Sequence, residues 1–270
     1  MILQNKNAII YGAGGSLGGA VSKALAREGA RLFLTGRNIS SVQKLAEEII
    51  ASGGVAEAAE VDALDENAVN RHVDTVIEKA AALDISFNAI GLQDTQNIPL
   101  VNMKVADFTR PITTAMQTQF LTATAAGRAM MRRGSGVILS LTATPGGIGY
   151  PNVGGFGPAC CAMESFSRDL ASELGPFGIR VVNIRSAGSP DSKVFREAIE
   201  KGGQQVLDII ESMKGDTMLK SLPLMEDIAN TAVFLASTMA GKITGVTVDV
   251  TCGTTNGLNY KASTIAFGQY

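Results

Sequence analysis

Seven short apolar or β-branched runs alternate with longer helical stretches, and this alternation constrains the fold more than any other feature of the chain. The runs fall at 6–11, 31–35, 55–61, 84–88, 136–141, 179–184 and 246–250. Between them, stretches such as 17–28 and 41–51 carry apolar residues at helical spacing; Val21, Ala24 and Leu25 share one face. Strand, helix, strand in repetition predicts an α/β chain whose doubly wound parallel sheet has about seven strands and helices on both faces. No linker, repeat or low-complexity run interrupts residues 1–270, so a single domain is expected. Two segments break the rhythm: 92–114, which holds Pro99 and Pro111, and 186–222, which follows the sixth run. Long irregular pieces beyond strand ends are where such sheets build binding sites, so both are expected to wall a small-molecule pocket.

Composition excludes several function classes. Of 270 residues, 46% are hydrophobic and 18% charged, with net charge −2. That is a globular balance, with no basic excess for a nucleic-acid partner. No apolar run reaches the roughly 18 residues a membrane span needs. The N-terminus, MILQNKNAIIYGAGG, lacks a charged start followed by a long apolar stretch, so no signal peptide is expected and the location is read as cytoplasmic. Cys160, Cys161 and Cys252 are too few and too badly spaced for a disulfide frame or a metal centre. The single histidine, His72, lies in a polar helical stretch and is expected to be exposed.

The first run ends in YGAGGSLGGA. Glycines at 12, 14, 15, 18 and 19 allow a tight strand-to-helix turn whose free N–H groups and positive helix end can face a phosphate. The spacing G-x-G-x-x-G fails because Leu17 holds its third glycine position, whereas Gly12 to Gly18 fits a wider spacing. A glycine-rich turn that holds no nucleotide is the competing reading.

YGAGGSLG resembles the T-G-x-x-x-G-x-G turn of the short-chain dehydrogenases/reductases, with Tyr11 in place of threonine and Ser16 in place of the middle glycine. DISFNAIG resembles that family's D-x-L-V-N-N-A-G and keeps Asn88 and Gly91. VDALDENAV resembles the end of its third strand, where Asp62 would face an adenine. GIRVVNIRSAGSP resembles I-R-V-N-x-V-x-P-G, with Ala187 in place of proline, and LMEDIANTAVFLASTMAGKITGVTVDVTCG resembles the family's C-terminal signature. The resemblance covers nearly the whole chain. It implies a Rossmann-like fold and a nicotinamide dinucleotide held by Gly12, Ser16, Leu17, Gly18, Arg37, Asp62, Asn88 and Gly91.

The second run, RLFLTGRN, ends without the carboxylate that would accept the ribose hydroxyls of NAD. Arg37 stands there instead, and a guanidinium suits a 2′-phosphate. NADP is therefore the expected cofactor, with NAD the alternative if Arg37 is only a solvated charge.

The resembling family works with an asparagine, a serine, a tyrosine and a lysine. Its tyrosine protonates the oxygen made negative by hydride transfer, and its lysine lowers that phenol's pKa. PLVNMKVADFTRP resembles the lead-in to the asparagine and places that position at Ala115. The serine position falls at Ala143, the tyrosine at Phe156 and the lysine at Cys160. No lysine lies between Lys104 and Lys193. The remaining candidates are Tyr150, in a loop that lines the family's substrate pocket, and Thr142 or Thr144, which can hydrogen-bond a substrate but are poor acids. Cys160 has no neighbouring cation in the sequence to activate a thiol. The run Gly154–Pro158 reads as a close backbone approach leading into a helix.

Two functions lead, ahead of a weaker third in which the site is reused for non-redox chemistry on a bound small molecule. One is an NADP(H) oxidoreductase acting on an imine, enone or carbonyl with little acid help. The other is an inactive nucleotide-binding relative serving as a sensor or partner subunit. The resemblance also implies a homodimer or homotetramer, for which the face of Ala123, Ala126, Met130 and Met131 is the expected surface; packing on the chain's own sheet is its alternative.

Overall fold

Each apolar run becomes a strand of one sheet in a computed structural model, which describes residues 1–257. The strands are β1 (Asn7–Tyr11), β2 (Arg31–Gly36), β3 (Val55–Glu60), β4 (Ile85–Asn88), β5 (Gly136–Ala143), β6 (Ile179–Ser186) and β7 (Thr247–Val250). They pair in the order β3-β2-β1-β4-β5-β6-β7, and every pairing is parallel. Parallel strands are covered on both faces, which is why they read as continuous apolar runs rather than as alternations.

The helices are α1 (Ser16–Arg27), α2 (Ile39–Ala51), α3 (Glu66–Ala80), α4 (Val105–Met131), α5 (Phe156–Leu174), α6 (Lys193–Gly215) and α7 (Met225–Ala236). One core layer joins Ile10, Leu32 and Leu34 to Val21 and Leu25 of α1, Leu45 of α2 and Ile228 of α7. The other joins Ile9, Tyr11 and Phe33 to Val73 of α3, Ala126 of α4 and Leu170 of α5. The fold is thus the expected Rossmann-like doubly wound sheet. Strand order reverses between β1 and β4, the position at which such sheets open a ligand crevice.

Four expectations need correction. Segment 92–114 is only partly irregular, because α4 begins at Val105 and runs through Pro111. The proline sits in the second turn, where it forfeits one backbone hydrogen bond. Its ring is buried, and a side chain at Gly155 would meet its Cγ at 3.0 Å. Segment 186–222 is largely α6, broken at Gly203, whose φ of 52° and ψ of −131° are non-helical. His72 is buried: it lies on the face of α3 that carries Val69, Val73 and Val76 into the core. Burial, with Lys79 adding to it, holds its imidazole well below the usual histidine range, at about 4. Finally, Ala123, Ala126 and Met130 pack inside their own chain against the sheet, and only Met131 of that set reaches the surface.

Candidate active site

The glycine turn after β1 is shaped by contact. Gly12 has φ +77°, and a Cβ there would sit 2.7 Å from the Ala89 carbonyl oxygen. A Cβ on Gly18 would collide with the Gly12 carbonyl. These two contacts explain the wide Gly12-to-Gly18 spacing: the first turn of α1 is pressed onto the end of β1. The N-cap of α1 is Gly15, which offers no side-chain hydrogen bond, and no acidic residue lies in the first turn. The first N–H groups of the helix and its positive end are therefore left for an anion.

A crevice of about 410 Å³ opens at the switch point. Gly12, Arg37, Asp62 and Gly91 all line it, so four of the eight residues expected to hold a nucleotide share one wall. Ser16, Leu17 and Gly18 begin α1 beside it. Gly18 is buried under the turn, Leu17 packs partly on the core, and the Ser16 hydroxyl accepts a hydrogen bond from the Lys193 N–H at 3.1 Å. Asn88 is buried below the crevice. Its amide nitrogen donates to Thr122 Oγ1 at 3.1 Å, and its Oδ1 accepts from the Ile90 N–H at 3.0 Å, which fixes the turn leading to Gly91. Asp62 Oδ1 accepts from the Leu64 N–H at 3.0 Å, so that carboxylate is oriented at the rim.

Sequence reasoning missed Asn38, Ser41 and Thr118, which also line the crevice. A signal for the first two was present. Asn38 caps α2 by accepting the Ser41 N–H, and an asparagine three residues before a serine after a strand is a cap signature. Arg37, the cap and the start of α2 thus converge on one exposed corner.

Beyond Gly91 and Thr114 the character of the wall changes. Leu92, Ala115, Ala159 and Met163 form an apolar cluster, with Ile112 and Phe156 against it. Of the positions that the sequence resemblance matched to catalytic groups, Ala115 belongs to this cluster, Phe156 packs against it, and Cys160 follows Ala159 in α5. Ala115 is fully buried. Burial pushes the Cys160 thiol up to about 11, and Glu164 adds to the rise; a hydrogen bond with the Ala143 backbone only partly offsets it. Gly155 lies against the Phe108 carbonyl, and Pro158 falls in the first turn of α5, as the close-approach reading of that run requires.

From α5 to β6 and β7 runs a partly buried ionic network that sequence reasoning did not anticipate. Arg185 of β6 donates from Nε to Glu164 Oε1 at 3.0 Å and from Nη2 to Glu164 Oε2 at 2.5 Å. Its Nη1 donates to Asp249 Oδ2 on β7 at 3.1 Å. Thr142 belongs to this network. Its hydroxyl donates to Glu164 Oε1 at 2.8 Å and accepts from Asn183 Nδ2 at 2.7 Å, with the side chain buried. The hydroxyl expected to meet a substrate is engaged inside the protein instead. Tyr150 is 43% exposed and does not line the crevice. The structure therefore does not bring Thr142 and Tyr150 together at the nucleotide wall. Among the described residues no three His, Cys, Asp or Glu side chains cluster to hold a metal ion, and no helix is long and apolar enough to cross a membrane.

Residues 12–255 match the family model described as enoyl-(acyl carrier protein) reductase. The chain belongs to the short-chain dehydrogenase/reductase family. It is 27% identical over 253 residues to a 3-oxoacyl-[acyl-carrier-protein] reductase of Synechocystis sp., covering 91% of this chain and 95% of that one. It is 28% identical to an L-rhamnose 1-dehydrogenase (NAD(P)(+)) of Azotobacter vinelandii, covering 94% and 98%. Among solved structures, an NAD+-bound xylitol dehydrogenase superposes with a TM-score of 0.87 at 25% identity, covering 94% of this chain and all of that one. All three are named as oxidoreductases, and the rhamnose and xylitol enzymes are named with a nicotinamide nucleotide.

Proposed function

We propose that this chain is an NADP(H)-dependent oxidoreductase whose reacting end lacks the family's proton donor. The observation that carries the reading is the convergence of Gly12, Arg37, Asp62 and Gly91 on one crevice at the switch point of the sheet. The residues fit the group: the glycine turn lets the start of α1 press onto the end of β1, the uncapped start of α1 suits a pyrophosphate, and Arg37 beside the Asn38 cap suits a 2′-phosphate. When bound, NADP(H) supplies or accepts a hydride. The protein's own contribution at that end is apolar: Phe156, Ala115 and Met163 exclude water but provide no acid.

Reduction of an ordinary ketone produces a strongly basic alkoxide, which this wall does not protonate. An iminium takes hydride without forming an oxyanion, and an enone gives an enolate that solvent can protonate. We therefore assign the substrate to small imines or enones ahead of simple carbonyls. Tyr150, exposed at the loop after β5, is the remaining hydroxyl for orienting such a substrate. A homodimer or homotetramer is part of this proposal, with the half-exposed Phe120 of α4, 6.1 Å from the ring of Phe166 on α5, in place of the buried alanine face.

A second reading, an inactive NADP(H)-binding protein acting as a sensor or partner subunit, is favoured by the engagement of Thr142 in the ionic network. One experiment separates the two: NADPH fluorescence on binding, followed by cofactor oxidation with a cyclic iminium, an enone and a ketone. The oxidoreductase reading expects binding and turnover on the iminium or enone. Ketone reduction as the fastest reaction contradicts the substrate assignment, and binding without turnover selects the second reading.

A further inference from the structure

Gln93 lines the crevice at the end where the nucleotide wall meets the apolar cluster, and it is exposed. Its φ is +51°, a left-handed backbone that glycine adopts freely and glutamine does not. Among the described residues, seven non-glycine residues have positive φ, and Gln93 is the one of them that lines the crevice. The conformation is held from both sides. Leu92 is buried in the cluster with Ala115, Ala159 and Met163. Thr95 Oγ1 accepts from Arg110 Nη2 at 3.0 Å, and the Thr95 carbonyl oxygen lies 2.9 Å from where a Cβ on Gly154 would sit. Next to it, Gln96 Nε2 donates to Asp94 Oδ2 at 2.5 Å, whereas the Gln93 amide has no partner among the described residues. Backbone strain of this kind persists where the surroundings impose it, and it gathers at binding sites.

We propose that Gln93 is a substrate-binding residue whose side-chain amide donates a hydrogen bond to the carbonyl oxygen of the substrate. An amide N–H holds an oxygen that gains negative charge but does not protonate it. That suits a wall to which Ala115 and Phe156 contribute no acid. It also divides the two substrate classes named above. Once hydride has added at the β-carbon of an enone, the alkene pair rests as an enolate whose oxygen stays on the amide, and water protonates the α-carbon, leaving hydroxide. An iminium offers the amide no oxygen. The inference rests on the oxidoreductase reading of this end and deepens it by placing the enone ahead of the iminium.

The test uses the full chain with two variants: Gln93→Met, which keeps the length of the side chain without a donor, and Gln93→Glu, which at neutral pH presents acceptors only. Cyclohexenone is titrated in the presence of NADP+, which carries no hydride to give, so binding is read without turnover. Both variants are expected to bind it about fivefold more weakly than the wild type, in line with one neutral hydrogen bond. Gln93→Met is expected to keep its affinities for NADP+ and 2′,5′-ADP within about twofold. With NADPH, kcat on the enone is expected to fall about tenfold or more in both variants, because the held oxygen carries charge only in the reaction. In Gln93→Met, kcat on a cyclic iminium is expected to stay within about twofold. Equal cyclohexenone affinity in the wild type and both variants overturns the proposal, and so does a Gln93→Glu variant that binds as the wild type does. A loss of NADP+ affinity in Gln93→Met with 2′,5′-ADP unchanged overturns it as well, because the amide would then serve the nicotinamide carboxamide. Cyclohexenone binding that depends on Gln93, with no turnover of any substrate, contradicts the oxidoreductase reading and leaves the contact standing.

Discussion

At the Gly12 end, the crevice is built from backbone pressed close, one guanidinium and one carboxylate at the rim. Past Gly91 it gives way to Leu92, Ala115, Ala159 and Met163 packed together, and an Arg185 ion network joins α5 to β6 and β7. The two regions sit on the same sheet and differ in what their functions depend on. On the proposed reading, nucleotide binding rests on contacts that also hold the fold: Gly18 against Gly12, and Gly12 against Ala89. Losing them would disturb the turn itself. Proton transfer depends on a few side chains at helix and strand ends, and those can be exchanged for apolar groups while the sheet stays intact. On the proposed reading, a chain of this family keeps its cofactor wall and loses its acid.

The sharpest way to break this contrast is to attack the ion network. Arg185→Met leaves Glu164 and Asp249 without their cation. It is expected to cost about 3–5 kcal/mol of stability by urea denaturation, because a buried charge loses its partner. NADP+ affinity of the folded protein should change by less than about twofold. A loss of affinity without a loss of stability would show that the two regions are not separable.

His72 tests the scaffold beneath the binding half. Its imidazole is held at about 4 when folded, so the unfolded chain takes up a proton more readily between about pH 6.5 and 4. That contribution to stability is complete above pH 6.5 and is lost as pH falls through this window, by up to about 3 kcal/mol. His72→Leu should flatten the acid limb of the stability profile over that range. An unchanged slope would mean that the histidine protonates freely in the folded state.

Arg37→Ala sharpens the contrast at the other end. NADP+ affinity is expected to fall about tenfold or more, and NAD+ affinity to stay within about twofold. Equal losses for both cofactors would remove the case for a 2′-phosphate at that corner. The smallest effect concerns the thiols. At pH 8, iodoacetamide should label exposed Cys161 ahead of buried Cys160, whose thiol is pushed up to about 11. Mass spectrometry showing Cys160 labelled first would expose an activated thiol at the reacting end.

All seven strands were legible because parallel strands buried on both faces carry unbroken apolar runs, and the glycine turn marked where the first one ends. The N-terminal part of α4 was not, because Pro111 reads as a breaker although a second-turn proline forfeits only one hydrogen bond. His72 was misjudged because its neighbours Asn70, Arg71 and Asp74 are polar, while its own side chain falls on the Val69–Val73–Val76 stripe. The Glu164–Arg185–Asp249 network was invisible for a different reason. Its members come from α5, β6 and β7 and lie 21 and 64 positions apart, so only the sheet order brings them together. The nucleotide wall was half legible: Arg37 and Asp62 stand at strand ends, whereas Thr118 reaches the crevice from inside a long helix.

A crystal structure with NADP+ tests the central claim most directly. The account predicts the pyrophosphate over the Gly12–Gly18 turn, the 2′-phosphate at Arg37, and the nicotinamide against Phe156 and Cys160 with no phenol–ammonium pair in reach. A tyrosine and a lysine side by side over the nicotinamide, or a crevice that admits no dinucleotide, would contradict it.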